Sequence, residues 1–222
     1  MELLDGKLLS NKIYSSMKEN ISSFYLPPKL SIIIVGNRPD SLVYVNMKRK
    51  KCIDMGIEAE VFYYEDPKKN EIVKKIKELN KDKDVKGVMV QLPLPDNLKK
   101  DTREILDTIN PSKDVDGLTT YSLGRLISCG RIDLSKLEET DFFISSTVYG
   151  VLKFIHNYRI DILGKNIGII GNSSLLGMPL SIILSNMGGT VEICHIDTDN
   201  LRDHTFNKDI IISCCGVKGL IK

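Results

Sequence analysis

From Lys29 onward, short apolar runs rich in β-branched residues alternate with charged, amphipathic stretches. Parallel sheets covered by helices produce this pattern. Leu30–Val35 predicts a buried strand that ends at Gly36. Pro39-Asp40-Ser41 then offers the start of a helix that runs to about Met55 and stops at Gly56. Ala59–Tyr64 predicts a second strand, Asn70–Leu79 a helix with Ile72, Val73, Ile76 and Leu79 on one face, and Val85–Gln91 a third strand. Pro93 and Pro95 end that strand, and Lys100–Ile109 predicts another helix. Asn110–Gly117 is too polar and turn-rich for a regular element, so it is expected to be a loop.

Between about Cys129 and Asp141 the chain becomes polar and aperiodic, which marks the expected end of a first domain near residue 140. A second series follows. Thr147–Tyr158 fits an amphipathic helix through Val151, Leu152, Phe154 and Ile155. Asn166–Ile170 predicts a strand, Leu176–Met187 a helix, and Thr190–His195 and Asp209–Cys214 two more strands. No internal repeat or low-complexity segment interrupts the pattern. The expected fold class is α/β in two domains, residues 1–140 and 141–222.

Composition narrows the partners. The 222 residues carry a formal net charge of +2, with 27% charged and 42% hydrophobic residues. This excludes a disordered polyelectrolyte and gives no global reason to expect nucleic-acid binding. No apolar run approaches the roughly 18 residues of a membrane span, and the start, Met1-Glu2-Leu3-Leu4-Asp5-Gly6, has no basic leader or amphipathic presequence. Cys52, Cys129, Cys194, Cys214 and Cys215 are odd in number and lack C-x-x-C spacing, so they are expected to be reduced, buried thiols of a soluble cytoplasmic protein. No metal site is expected. His156 falls in a helix core pattern, His195 at a strand end and His204 in a loop, none with a Cys or His partner at ligand spacing. No P-loop occurs.

Two regions carry candidate chemistry. The predicted strand ending at Ile170 runs through Gly171-Asn172-Ser173-Ser174-Leu175-Leu176-Gly177-Met178-Pro179 into a helix. Such a glycine turn and helix N-terminus bind a pyrophosphate through backbone N–H groups and the helix dipole, as in a Rossmann-like nucleotide-binding domain. Ser173 stands where the second glycine of G-x-G-x-x-G would be, so an ordinary strand-to-helix turn with a serine cap stays open. Asp197 lies 20 residues beyond Gly177. There a carboxylate can hold an adenosine ribose hydroxyl and repel a 2′-phosphate, and a solvated loop carboxylate is the alternative. In the first domain, Tyr44 and Lys48 are one helical turn apart and face the same way, whereas Lys50 and Lys51 point elsewhere. A tyrosine that stacks on a flat ring, beside an amine that moves a proton, suits a conjugated heterocycle. Gln91 brings an amide to a strand end, Asp114 caps or turns its loop, and Asp116 precedes Gly117.

These segments resemble the bifunctional methylenetetrahydrofolate dehydrogenase/methenyltetrahydrofolate cyclohydrolase family. The matching pieces are Ser41-Leu-Val-Tyr44-Val-Asn-Met-Lys48, Val90-Gln91-Leu-Pro-Leu-Pro95, Ile109-Asn-Pro-Ser-Lys-Asp-Val-Asp-Gly117 with Gly124-Arg125-Leu126, and Gly171 to Pro179, in the family's order and separations. The resemblance implies a folate-binding catalytic domain over 1–140 and a Rossmann-like NAD(P)-binding domain over 141–222. It also implies a tetrahydrofolate substrate and a homodimer formed through the nucleotide domains. It makes Lys48 the main catalytic group, with Tyr44 stacking on the folate, Gln91 bonding the lysine, Asp116 binding the pterin and Ser41 in the substrate set. A partly desolvated Lys48 of lowered pKa would relay the proton of hydrolysis. Gly171, Asn172, Ser173, Gly177, Asp197 and Thr147 form the expected cofactor set for NADP or NAD.

Three departures qualify the match. The family's Pro-Cys-Thr-Pro reads Ser145-Ser146-Thr147-Val148 here, with both prolines gone. Asn172 and Ile196-Asp197 replace groups that bind a 2′-phosphate, which leans the expectation toward NAD. Family members also continue past the position of Lys222 with a strand, a Pro-Gly-Gly-Val-Gly-Pro-Met-Thr loop and a helix, so the second domain is expected to be incomplete at its C-terminus. A non-catalytic folate- or nucleotide-binding relic, or a two-domain dehydrogenase with another substrate, are the alternatives.

Overall fold

The computed structural model describes residues 3–221. Met1 and Glu2, where the absence of a leader was read, and Lys222 lie outside the described residues. The chain forms two compact units, Met1–Ser122 and Leu123–Lys222.

In the first unit, α1 (Gly6–Ser22) precedes β1 (Lys29–Val35), α2 (Pro39–Asp54), β2 (Glu58–Tyr64), α3 (Lys69–Lys81) and β3 (Val85–Val90). Two short helices, α4 (Asp96–Lys99) and α5 (Thr102–Asp107), follow. The strands form a parallel sheet in the order β2-β1-β3, with Ile32 paired to Val61 on one side and to Met89 on the other. Because β1 is central and covered on both faces, Ile32, Ile33 and Ile34 are all buried. Their alternation sorts them into two cores. Ile33 and Val35 pack with Val88, Val90, Ile72, Ile76 and Ile105, while Ile32 and Ile34 pack with Met89 and with Val45 of α2.

The second unit repeats the plan. α6 (Thr120–Ser128) begins in the first unit and ends in the second, and α7 (Ser146–Asn157), β4 (Asn166–Ile170), α8 (Gly177–Asn186), β5 (Thr190–Cys194), α9 (Leu201–Thr205) and β6 (Ile210–Ser213) follow. The parallel sheet runs β5-β4-β6. Ile167 and Ile169 of β4 are enclosed by Val148 and Leu152 of α7 and by Leu180, Ile183 and Leu184 of α8. Leu126, Ile132, Leu137 and Phe142 join this core, so the polar stretch from Cys129 to Asp141 packs with the second unit.

Several expectations change in detail. α1 and α6 fall where no element was predicted, and α4 with α5 replaces one helix over Lys100–Ile109, with Lys100 and Asp101 as a turn between them. His204 lies on α9, its Nδ1 2.6 Å from Oε1 of Glu192, and not in a loop. His156 is exposed in the last turn of α7, because the buried face of that helix is Val148, Leu152 and Ile155. All five cysteines are free. Cys194 is buried and the other four only half-buried. Among the described residues, no group of His, Cys, Asp and Glu could hold a metal ion, and no helix is long and apolar enough to cross a membrane.

Candidate functional site

α2 begins with proline in its first turn, where the missing N–H costs nothing. Ser41, Tyr44 and Lys48 then follow at spacings of three and four, which align them along the helix. Ser41 is buried, Tyr44 is 60% exposed, and Lys48 is half-buried between them and the sheet. The Lys48 amine donates to Oε1 of Gln91 at 3.1 Å, lies 3.9 Å from Sδ of Met89, and sits 5.3 Å from the centre of the Tyr44 ring. Gln91 is held firmly for this task. Its backbone N–H donates to Ile33 O at 2.8 Å and its side-chain N–H to Leu92 O at 2.8 Å, which leaves the amide oxygen aimed at the lysine. Lys48 and Gln91 thus meet at the carboxyl end of β3, where open parallel sheets bind ligands.

The loop from Lys113 to Gly117 completes the group. The Lys113 amine donates to Leu79 O at 2.8 Å and Asp82 O at 2.6 Å, closing the C-terminal end of α3. Val115 packs on the core around Ile32 and Val45, and Gly117 adopts φ +62°, a turn that an L side chain resists. Asp116, half-buried between them, feels Lys48. Burial pushes its carboxyl above the ordinary carboxylate range, the Lys48 charge pulls it back, and Asp114 adds to the rise. Tyr44, Lys48, Gln91 and Asp116 therefore combine an open aromatic face, an anchored amine and a carboxylate of raised pKa.

In the second unit, β4 leads into Gly171 at φ +114° and then α8. A Cβ on Gly177 would stand 1.8 Å from the carbonyl oxygen of Gly171, so only glycine allows the helix to approach the turn this closely. Asn172 and Ser173 are exposed beside it. No side chain caps α8. The Ser173 carbonyl, not its hydroxyl, takes the Met178 N–H at 3.1 Å. A tight glycine turn before an uncapped helix N-terminus suits a pyrophosphate. Ser145 Oγ donates to Leu175 O at 2.9 Å and ties the start of α7, where Thr147 is exposed, to this loop. Asp197 lies in the turn after β5, 84% exposed, with Oδ2 3.5 Å from His195 Nδ1.

Sequence reasoning missed Met89, Thr119 and Ser122 as neighbours of the first-unit group and left Lys113 without a role. For Lys113 and Met89 the strand and loop offered a signal, since both lie within three residues of a named site residue.

An α/β unit carrying a tyrosine, lysine, glutamine and aspartate at strand ends, followed by a parallel unit with a dinucleotide turn, defines a two-domain enzyme linked to a pyridine nucleotide. The comparisons narrow this class. Residues 4–116 match the family model for the tetrahydrofolate dehydrogenase/cyclohydrolase catalytic domain, and residues 145–222 match the one for its NAD(P)-binding domain. The chain is 39% identical to "Bifunctional protein FolD" from a Sulfurihydrogenibium species, all of this chain aligning with 76% of that one. The solved bifunctional enzyme FolD of Campylobacter jejuni is 39% identical with a TM-score of 0.89, over 100% of this chain and 76% of that one. The Trypanosoma brucei dehydrogenase-cyclohydrolase, solved with NADP and an inhibitor, is 26% identical with a TM-score of 0.87, over 98% and 72%. The chain belongs to the tetrahydrofolate dehydrogenase/cyclohydrolase family. It spans about three quarters of the length of these relatives.

Proposed function

We propose that this chain oxidises 5,10-methylenetetrahydrofolate to 5,10-methenyltetrahydrofolate with a pyridine nucleotide and hydrolyses the product to 10-formyltetrahydrofolate. The observation that carries the proposal is the Lys48 amine, bonded to Gln91 beside the open Tyr44 ring and acting on the charge of Asp116. Tyr44 offers its exposed face to the aromatic part of the folate, and Asp116 accepts hydrogen bonds from the N–H edge of the pterin. With its pyrophosphate held at the turn of Gly171 and Gly177, and Thr147, Asn172 and Ser173 nearby, a pyridine nucleotide would supply the hydride acceptor. Loss of hydride from the methylene carbon needs no base on that carbon, because both flanking nitrogens stabilise the resulting cation. The protein's contribution to this step is alignment.

Hydrolysis asks more of the side chains. Water bonds to the methenyl carbon and gives up a proton. The carbon–N5 bond then breaks, N5 takes a proton, and the added hydroxyl releases its remaining proton to become the carbonyl of the formyl group on N10. Lys48 is the group placed to hold and pass that proton, and Gln91 fixes where its amine stands. Lys48→Met is expected to abolish methenyl hydrolysis while leaving nucleotide affinity unchanged, measured by the decay of methenyl absorbance and by titration with the nucleotide. Unchanged hydrolysis would refute the assignment.

The nucleotide preference is argued from Asn172 and from the exposed carboxylate of Asp197, which would repel a 2′-phosphate. We therefore propose NAD over NADP. The ratio of kcat/KM values for the two nucleotides tests this, and a strong NADP preference overturns it. A homodimer working in the cytoplasm is the assembly the family likeness supports.

A further inference from the structure

No side-chain hydrogen bond holds Asp116 among the described residues, so its loop backbone, its burial and the charge of Lys48 set its position. That backbone is closed by its neighbour but one. Asp114 is 1% exposed, and its carboxylate accepts from Leu118 N at 3.2 Å, Thr119 N at 2.9 Å, Thr119 Oγ1 at 2.7 Å and Ser122 Oγ at 2.7 Å. Its carbonyl takes the Gly117 N–H at 2.9 Å, and its backbone bridges to Val88 of β3. Every donor to the carboxylate lies downstream of Asp116. The clamp therefore draws the chain on both sides of Asp116 into one ring and fastens that ring to the strand that carries Met89 and Gln91.

A buried carboxylate is costly unless its oxygens are satisfied, and here two backbone and two hydroxyl donors satisfy them. Caps and turns need less than this. Asn110, in the same loop, turns its backbone with one side-chain oxygen and stays exposed. We infer that Asp114 is a positioning residue, which through the Thr119 and Ser122 clamp holds Asp116 toward Lys48 and so sets the grip on the pterin. The inference rests on the folate function proposed above.

The charged groups acting on Asp116 are Lys48 from α2 and Asp114 in its own loop, and the Lys48 amine in turn meets the neutral Met89 and Gln91 of β3 and the Tyr44 ring. Asp114 favours the protonated form of Asp116, so removing its charge lets Asp116 stay ionised to lower pH. The test is steady-state kinetics of the full chain with Asp114→Asn and with Ser122→Ala. For Asp114→Asn, KM for the folate is expected to rise about tenfold with kcat within about twofold, the loss expected when one acceptor of a buried charged group is replaced. The nucleotide KM should stay unchanged, and the acid-side loss of folate binding should move to lower pH. Ser122→Ala keeps the charge, so it should raise the folate KM less and leave the acid-side profile in place.

The shift in profile reports the charge of Asp114, whereas a rise in folate KM at constant kcat and nucleotide KM, shared in part by Ser122→Ala, reports its hold on Asp116. A wild-type folate KM and profile in Asp114→Asn, or equal losses for folate and nucleotide, overturn the inference. If Asp114→Asn does not fold, a wild-type folate KM in Ser122→Ala overturns it. A wild-type chain that binds no folate removes the function and the inference together, whereas the variant results bear on the inference alone.

Discussion

At the scale of single residues, burying Asp116 carries a cost in stability. Its carboxyl is pushed above the ordinary range chiefly by burial, and the Lys48 charge does not fully offset that. A folded-state pKa above the unfolded one means that, as pH falls, the native state takes up the proton first. Stability linked to this group therefore rises on acidification through the folded pKa and is lower at neutral pH. Asp116→Asn is expected to melt higher than the wild type at neutral pH, with the difference shrinking as the pH falls, and to lose folate binding. Thermal unfolding across that pH range checks the sign, and a variant melting below the wild type at neutral pH would contradict it. Much of the group around Asp116 was legible in sequence. Tyr44 and Lys48 could be paired from helical spacing, and Gln91 from its place at a strand end. The clamp on Asp114 was not, because its partners Thr119 and Ser122 are ordinary hydroxyl residues whose meaning appears only when the loop folds back on itself.

At the scale of elements, legibility followed burial. β1 was readable because both its faces are covered, which demands an unbroken apolar run such as Ile32-Ile33-Ile34. α3 was readable because Ile72, Ile76 and Leu79 recur on one buried face. α1 left no such trace, since only Leu9 among its seventeen residues is buried. A cap and a contact with α2 help to hold it. Asp5 Oδ1 accepts from Lys7 N at 2.8 Å and Leu8 N at 3.1 Å, and the Lys51 amine of α2 lies 3.6 Å from the Tyr14 ring centre. Lys51 thus covers an aromatic face of α1. α6 escaped for another reason. Its start is organised by tertiary contact, with Thr120 bonded through its N–H at 2.6 Å and its hydroxyl at 2.7 Å to Asp107 at the end of α5. A short helix whose first turn depends on a residue thirteen positions away gives no local signal.

At the scale of the whole molecule, the two activities divide between the two units in their chemical needs. In the roles proposed above, hydride loss would require a nucleotide held in the turn of the second unit, while hydrolysis would use water and the group around Lys48, all of it in the first. Each unit also has its own core, around β1 in one and around β4 in the other. Gly177 offers a way to separate the two functions. A methyl group there meets the Gly171 carbonyl oxygen at 1.8 Å, an overlap that forces the turn away from the helix and costs about 1–3 kcal/mol or more. That strain falls on the surface proposed for the pyrophosphate. Gly177→Ala is therefore expected to lose nucleotide affinity and methylene oxidation while keeping methenyl hydrolysis within about twofold of the wild type, because hydrolysis consumes no nucleotide. Assaying both reactions on one preparation decides the matter. If hydrolysis fell in step with oxidation, the Lys48 group would depend on the nucleotide turn, and the division of labour between the units would be wrong.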